Sequence, residues 1–186
     1  MKLNKSYLNS ERIFLREFIE SDWVGVHKYA SQEIVSQYQV WKPNTKEDSK
    51  AFVNQILIDK SKSPRKRYVY AVVLKETDEM IGAGEINVRD FSNKSGDIAY
   101  IIHPDYWGKG FATEVARLLI DFGFEAINLH RIFAYCNPNN LGSVKVLEKA
   151  GLTHEGRLRE NLLMKDGWRD SLIYSILDNE WKEKEI

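Results

Sequence analysis

Residues 97–114 read DIAYIIHPDYWGKGFATE, and the fold turns on how this stretch is parsed. A β-rich run ends, the chain turns through Gly108, Lys109 and Gly110, and a helix begins near Phe111. A strand, a glycine turn and a helix start together form a physical recipe for gripping phosphate. The glycines let the backbone come close, the free amides of the helix N-terminus point at an anion, and the helix dipole favours negative charge. Lys109 adds a flexible positive charge. A plain tight connection is the alternative, since many strand-to-helix turns carry two glycines. The turn is not a Walker loop, which needs Gly-x-x-x-x-Gly-Lys-Ser/Thr. It is not a dinucleotide fingerprint either, because Thr113 stands where a third glycine belongs.

Working outward, the apolar positions Val115, Leu118, Leu119, Phe122 and Ile127 predict a long helix over residues 112–127 that packs on a sheet. A strand follows over 131–136. A short helix over 140–150 is stopped by Gly151 in a C-terminal cap role. Two last strands, about 153–163 and 168–177, flank the turn Lys165-Asp166-Gly167, whose Asp-Gly is a hairpin signal. Upstream, 12–16 reads as a first strand. Ser21 and Asp22 are N-cap candidates for a helix to about Ala30. A second helix covers about 46–60, with Phe52, Val53, Ile56 and Leu57 as its apolar stripe. Strands cover 67–74, 80–89 and 96–103. The expected fold class is α+β: a mostly antiparallel sheet with helices on its faces.

The whole chain fits one domain. It has 186 residues, 43% hydrophobic, 12% aromatic and 29% charged, an ordinary globular profile. Lys and Arg number 27, as do Asp and Glu. That balance argues against a bulk nucleic-acid partner. The basic run at 60–67, KSKSPRKR, reads as a solvated loop, with an anion-facing patch as the alternative. The single cysteine, Cys136, sits in the apolar stretch IFAYC and reads as a buried core thiol. No apolar run approaches the roughly 20 residues of a membrane span. Residues 1–10 are polar and lack a signal-peptide core. A cytoplasmic protein with no membrane partner is the expectation. Four scattered histidines and one cysteine give no metal-ligand spacing, so no metal is expected.

Four pieces, in order, resemble the GNAT superfamily of N-acetyltransferases over about 81–181. They are the core strand DIAYII (97–102), the loop YWGKGFATE (106–114), the helix NLGSVKVLEKAGL (140–152), and EGRLRE (155–160) with DGWRD (166–170) and Glu180-Trp181. The last piece most resembles the branch containing ribosomal-protein N-terminal alanine acetyltransferases. The resemblance implies a mixed sheet with a splayed central strand pair and acetyl-CoA entering the gap. It implies that backbone groups of Ile101, Ile102 and His103 hold the pantetheine arm. The amides of Gly108, Lys109, Gly110, Phe111, Ala112 and Thr113 would hold the pyrophosphate. Asn140 and Ser143 would line the thiol end of the cleft. Two positions depart from the family: Trp107 replaces the usual Gln or Arg that begins the loop, and Leu147 replaces the Tyr that often donates a proton.

An ammonium is not a nucleophile, so acetyl transfer needs a base or an ordered water to remove a proton. It also needs a donor for the oxyanion and a proton for the leaving thiolate. Glu85, on a strand beside the core strand and flanked by Gly82, Ala83 and Gly84, is the first candidate base; a salt-bridged strand carboxylate is the alternative. Ser143 is the candidate donor, or else a helix-surface hydroxyl bonded to backbone or CoA. His103 and Glu160 are secondary candidates. Glu114 reads as a dipole-complementing carboxylate in the first helical turn. The five tryptophans read as core or rim packing. The leading expectation is acetyl transfer from acetyl-CoA to a protein N-terminus, and the branch resemblance implies that of a ribosomal protein. A small-molecule amine acetyltransferase (polyamine, amino acid or aminoglycoside) and a non-catalytic CoA-binding protein are the alternatives. A monomer or a homodimer fits equally.

Overall fold

The computed structural model describes residues 8–164 and 166–182, so Lys165 of the expected hairpin turn lies outside the described residues. Strands β1 (Ile13–Glu17), β2 (Arg67–Leu74), β3 (Glu79–Asp90), β4 (Ser95–Ile102), β5 (Arg131–Cys136), β6 (Thr153–Met164) and β7 (Gly167–Leu177) form one sheet. Their order is β1-β2-β3-β4-β5-β7-β6. All neighbours are antiparallel except β4 and β5, which run parallel. The helices are α1 (Trp23–Ala30), α2 (Glu33–Ser36), α3 (Lys46–Lys60), α4 (Phe111–Asp121), α5 (Leu141–Ala150) and α6 (Asp178–Lys182).

Local chemistry explains most of these bounds. Thr45 and Asp48 exchange hydrogen bonds at the start of α3, a reciprocal cap. Asn140 caps α5 by accepting the Ser143 amide at 3.0 Å. Gly151 ends α5 with φ +98°, a conformation that costs glycine little. In α4, Phe111, Val115, Leu118 and Leu119 recur at helical spacing and are buried. Strand β2, RYVYAVVL, is buried on both faces after its first two residues, as expected of a strand covered by helices on either side.

Two cores result. On one face α4 and α5 pack over Ile86, Ile98, Ile102, Ile132 and Ile176. On the other, α1 and α3 cover the β1–β3 half through Phe18, Val26, Val53, Ile56, Val69 and Ala83. Each fully buried aliphatic side chain stabilises by roughly 1.5–3 kcal/mol. Helix α4 comes so close to the sheet that a Cβ on Gly84 would stand 2.8 Å from Val115 Cγ1. Among the described residues no helix covers the second face over β4, β5, β7 and β6, and Ala99 and Tyr135 are exposed there.

Three features differ from expectation. The helix after the glycine turn is α-helical only to Asp121 and closes in a π-helical turn, Phe122–Ala126, in which the Ile127 amide reaches the Phe122 carbonyl. The turn lets Gly123 press against Ile86 and Ile132, each 2.6 Å from where its Cβ would be. Helices α2 and α6 were not anticipated; with four and five residues they are too short to show a period. Helix α6 is pinned by Trp181, which is buried and donates to Asp121 Oδ1 at 2.6 Å. The basic run at 60–67 is largely spent on internal ion pairs: Lys60 and Arg65 with Glu17, Lys62 and Arg67 with Asp59.

Candidate active site

The parallel pair β4–β5 is joined only from Ser95–Arg131 to Asp97–Phe133. Beyond Asp97 the strands part, leaving residues 98–102 unpaired on that edge. The His103 amide donates to the Ile81 carbonyl at 2.8 Å, so it faces β3 rather than the gap. Backbone polar groups alternate between the two edges of a strand. The groups of Tyr100 and Ile102 therefore face the gap, while those of Ile101 and His103 face β3. The Ile102 carbonyl already accepts the Trp107 indole N–H at 2.6 Å. Of the three residues expected to offer backbone to a pantetheine arm, only Ile102 points its polar groups into the opening.

The open end of the gap is bridged: Tyr38, just past α2, donates to the Asn139 carbonyl at 3.3 Å. His103 has Nε2 at 3.2 Å from Gln32 Nε2 and Nδ1 accepting the Asp105 amide at 3.3 Å. It is thus engaged at the rim.

The glycine turn takes the shape its sequence predicts. Gly108 has φ +74° and Gly110, the N-cap of α4, has φ +86°. The amides of Gly110, Phe111 and Ala112 come before the first intrahelical bond. The Thr113 amide bonds the Gly110 carbonyl at 3.0 Å, so Thr113 is turned inward by a tight first turn. Arg12 was not anticipated here. Its guanidinium lies 4.3 Å over the Phe111 ring, donates to the Lys109 carbonyl at 3.0 Å, and pairs with Glu114. Glu114 also accepts from Ser10 Oγ at 2.9 Å. That carboxylate ties the chain ahead of β1 to the helix start. Lys109 Nζ sits 5.3 Å over the Tyr106 ring, whose hydroxyl donates to Glu79.

Ser143 and Glu85 stand on opposite faces of the sheet. In β3, Gly84 faces α4, so Glu85 faces the α3 side. Glu85 accepts from Arg67 Nη2 at 2.8 Å and Asn87 Nδ2 at 2.7 Å, with 23% of its side chain exposed. Ser143, in the first turn of α5, has Oγ 3.1 Å from the Tyr100 hydroxyl. Burial holds the Tyr100 phenol above its usual range. The Cys136 thiol is likewise pushed up, to about 11, by burial and the Glu148 charge, which disfavours a nucleophilic thiolate. Glu160 is held in the edge strand with φ +49°, its amide on Asp170 Oδ1. Tyr100 could have been found from the period of two, which puts it on the same face as Ile98 and Ile102. No sequence signal pointed to Arg12.

The open sheet face around Glu85 is charged but compensated. Asp59, Glu85, Asp97 and Glu155 meet Lys62, Arg67, Arg89 and Arg131. Phe133 and Tyr135, edge to face at 5.4 Å, form its aromatic part. Among the described residues no cluster of three or more His, Cys, Asp or Glu is grouped for a metal. Also among them, no helix is long and apolar enough to cross a membrane.

A strand gap beside an amide-lined helix start suits a long thioester with a pyrophosphate. The positive φ of Gly108, whose Cβ would meet nothing within 4 Å, keeps that approach open. Comparison with known proteins identifies the family. Residues 12–153 match the family described as "Acetyltransferase (GNAT) domain". The chain is 34% identical over 175 residues to the uncharacterized N-acetyltransferase YnaD of Bacillus subtilis (strain 168), covering 94% of this chain and 99% of that one. It superposes on an acetyltransferase (GNAT family) from Bacillus anthracis with a TM-score of 0.82 at 31% identity, covering 92% and 98%. It superposes on the ribosomal-protein-S5-alanine acetyltransferase of Vibrio fischeri with a TM-score of 0.80 at 26% identity, covering 93% and 97%. The chain therefore belongs to the GNAT family and is an N-acetyltransferase.

Proposed function

We propose that this protein moves the acetyl group of acetyl-CoA onto the N-terminal amine of a peptide or protein by direct attack. The observation that carries the acceptor assignment is the compensated open face of the sheet. A polyamine with two or more positive charges is held by carboxylates that have no other partner. Here Asp59, Glu85, Asp97 and Glu155 on that face each meet an arginine or lysine. A peptide brings one ammonium and a largely neutral backbone, and the half-buried Phe133 with the exposed Tyr135 offers it apolar contact. The likeness to a ribosomal-protein-S5-alanine acetyltransferase motivates a ribosomal protein as the acceptor.

In this proposal the thioester lies in the β4–β5 gap, with its pyrophosphate at the amides of Gly110, Phe111 and Ala112. The amine approaches from the Glu85 face. Glu85, hydrogen-bonded by Arg67 and Asn87, takes a proton from the ammonium through water. Nitrogen then attacks the thioester carbon, the C–N bond forms and the C–S bond breaks. Ser143 on the opposite face hydrogen-bonds the departing thiolate, which ends as the CoA thiol.

Thiol release from acetyl-CoA tests this with peptides beginning in Ala or Ser, spermidine and an aminoglycoside. The peptides should give the highest kcat/KM. A preference for spermidine or the aminoglycoside overturns the acceptor assignment and favours a small-molecule amine acetyltransferase. Silence on the peptides likewise overturns the acceptor assignment.

A further inference from the structure

Tyr100 stands where the site changes character. It lies three residues past Asp97, the last β4 residue paired with β5, so its backbone borders the gap. Its register partner in β3 is Gly84, which has no side chain to compete for the space. The ring packs against the α4/α5 core, and the hydroxyl reaches the first turn of α5. There it finds Ser143 Oγ at 3.1 Å and the Ser143 carbonyl at 3.4 Å. Both are longer than the usual O–H···O bond, the second by clearly more. A largely enclosed phenol needs an acceptor for its proton. Ser143 Oγ is the better placed of the two.

This assignment of the proton has a consequence for Ser143. A serine hydroxyl has one proton. If it pointed at the phenol, nothing would remain for a ligand. With the phenol donating to Oγ, the serine proton is free to turn toward the gap. The Ser143 amide is already committed to Asn140 Oδ1, so the α5 turn itself is fixed. Leu147, one helical turn on, is 1% exposed in the core and supplies no polar group.

We propose that Tyr100 is a positioning residue for acyl transfer: its phenol donates to Ser143 Oγ and turns the Ser143 hydroxyl into the hydrogen-bond donor for the departing thiolate. This rests on the acetyl-transfer function proposed above. No proton need leave Tyr100. The C–S bond breaks, sulfur takes the electron pair, and the Ser143 O–H stabilises that charge until solvent protonates it. The phenol strengthens the donor by polarising it along the chain. Burial, which keeps Tyr100 protonated, keeps the arrangement in force at neutral and moderately alkaline pH.

Tyr100→Phe, Ser143→Ala and the double variant test the arrangement with an amine that the protein accepts. Tyr100→Phe should lower kcat about tenfold and leave KM for acetyl-CoA within about twofold, since one oriented hydrogen bond to a charged leaving group is at stake. In the Ser143→Ala background it should do nothing further, because it acts through Ser143. Wild-type kcat in Tyr100→Phe, or two losses that multiply, overturns the proposal. A second measurement needs no acceptor: titration of CoA bound to the folded protein, read by thiolate absorbance. Tyr100→Phe should raise the apparent pKa of the bound thiol by about one pH unit, the same tenfold effect. An unchanged titration overturns the proposal whatever the amine panel shows. Absence of transfer by the wild type with a normal titration difference overturns the acetyl-transfer function alone.

Discussion

Replacing Gly108 and Gly110 by alanine isolates what the turn before α4 contributes. Both residues hold positive φ, +74° and +86°. The two sites differ in surroundings but little in steric cost. A Cβ at Gly108 meets nothing within 4 Å; at Gly110 it comes 3.3 Å from Arg12 Nη2, the movable end of a half-exposed side chain. The backbone conformation therefore sets the penalty, about 1–2 kcal/mol per site for a residue with a Cβ. Where it appears depends on the free protein. If the loop keeps its shape without ligand, stability falls and the melting temperature drops by about 2–8 °C. If the free loop relaxes, the penalty moves to binding and the Kd for CoA rises about 5- to 30-fold. Calorimetric titration with CoA together with thermal unfolding measures both quantities. Asparagine, which tolerates this region better, should recover part of the loss at either site. Gly142→Ala is the control: it lies in the first turn of α5 without a positive φ, with its nearest contact an ordinary 3.5 Å, and should cost nothing measurable. If Gly108→Ala and Gly110→Ala leave both Kd and melting temperature unchanged, the turn is not the conformational cradle described above.

Three other expectations follow from individual contacts. Gly84→Ala places a Cβ 2.8 Å from Val115 and 3.2 Å from Leu119, so it should destabilise by about 1–3 kcal/mol in chemical denaturation, and unchanged stability would mean that α4 can move off the sheet. Glu85→Gln should lower kcat and alter its pH dependence with an accepted amine while the fold survives; if both stay as in the wild type, the base lies elsewhere. Glu155 is held down at about 2 by the Arg131 guanidinium and the Ser175 hydroxyl. Its folded pKa is depressed, so its contribution is present above the ordinary carboxylate range and is lost as pH falls toward 2. Arg131→Met should remove that contribution, so wild type and variant should converge in stability as pH drops from about 5 to 2. The exposure of the pair keeps the difference modest. A gap constant over that range would refute the pairing.

Much of the scaffold was legible in the chain because its signals are local. The bounds of α3, β2 and β5 follow from a capping pair and from apolar runs of characteristic length. Gly108 and Gly110 announced the turn because few other residues tolerate positive φ. The ordered matches from Asp97 to Trp181 carried the family, which the family match over residues 12–153 supports. Short α2 and α6 were not legible, since four or five residues hold too little of a period to register.

What only the tertiary structure decided is the pairing of groups distant along the chain. Arg12 meets Glu114, and Tyr100 meets Ser143, more than 40 residues away in each case. Glu85 faces away from Ser143 because the pleat of β3 turns it toward α3, where it accepts hydrogen bonds from Arg67 and Asn87. The sequence by itself determined that a strand, a glycine turn and a helix would build an anion-ready gap, because backbone preferences act over a few residues. Which side chains border that gap, which carboxylates are compensated and which hydroxyl is turned outward depend on contacts that exist only once the sheet has closed around them.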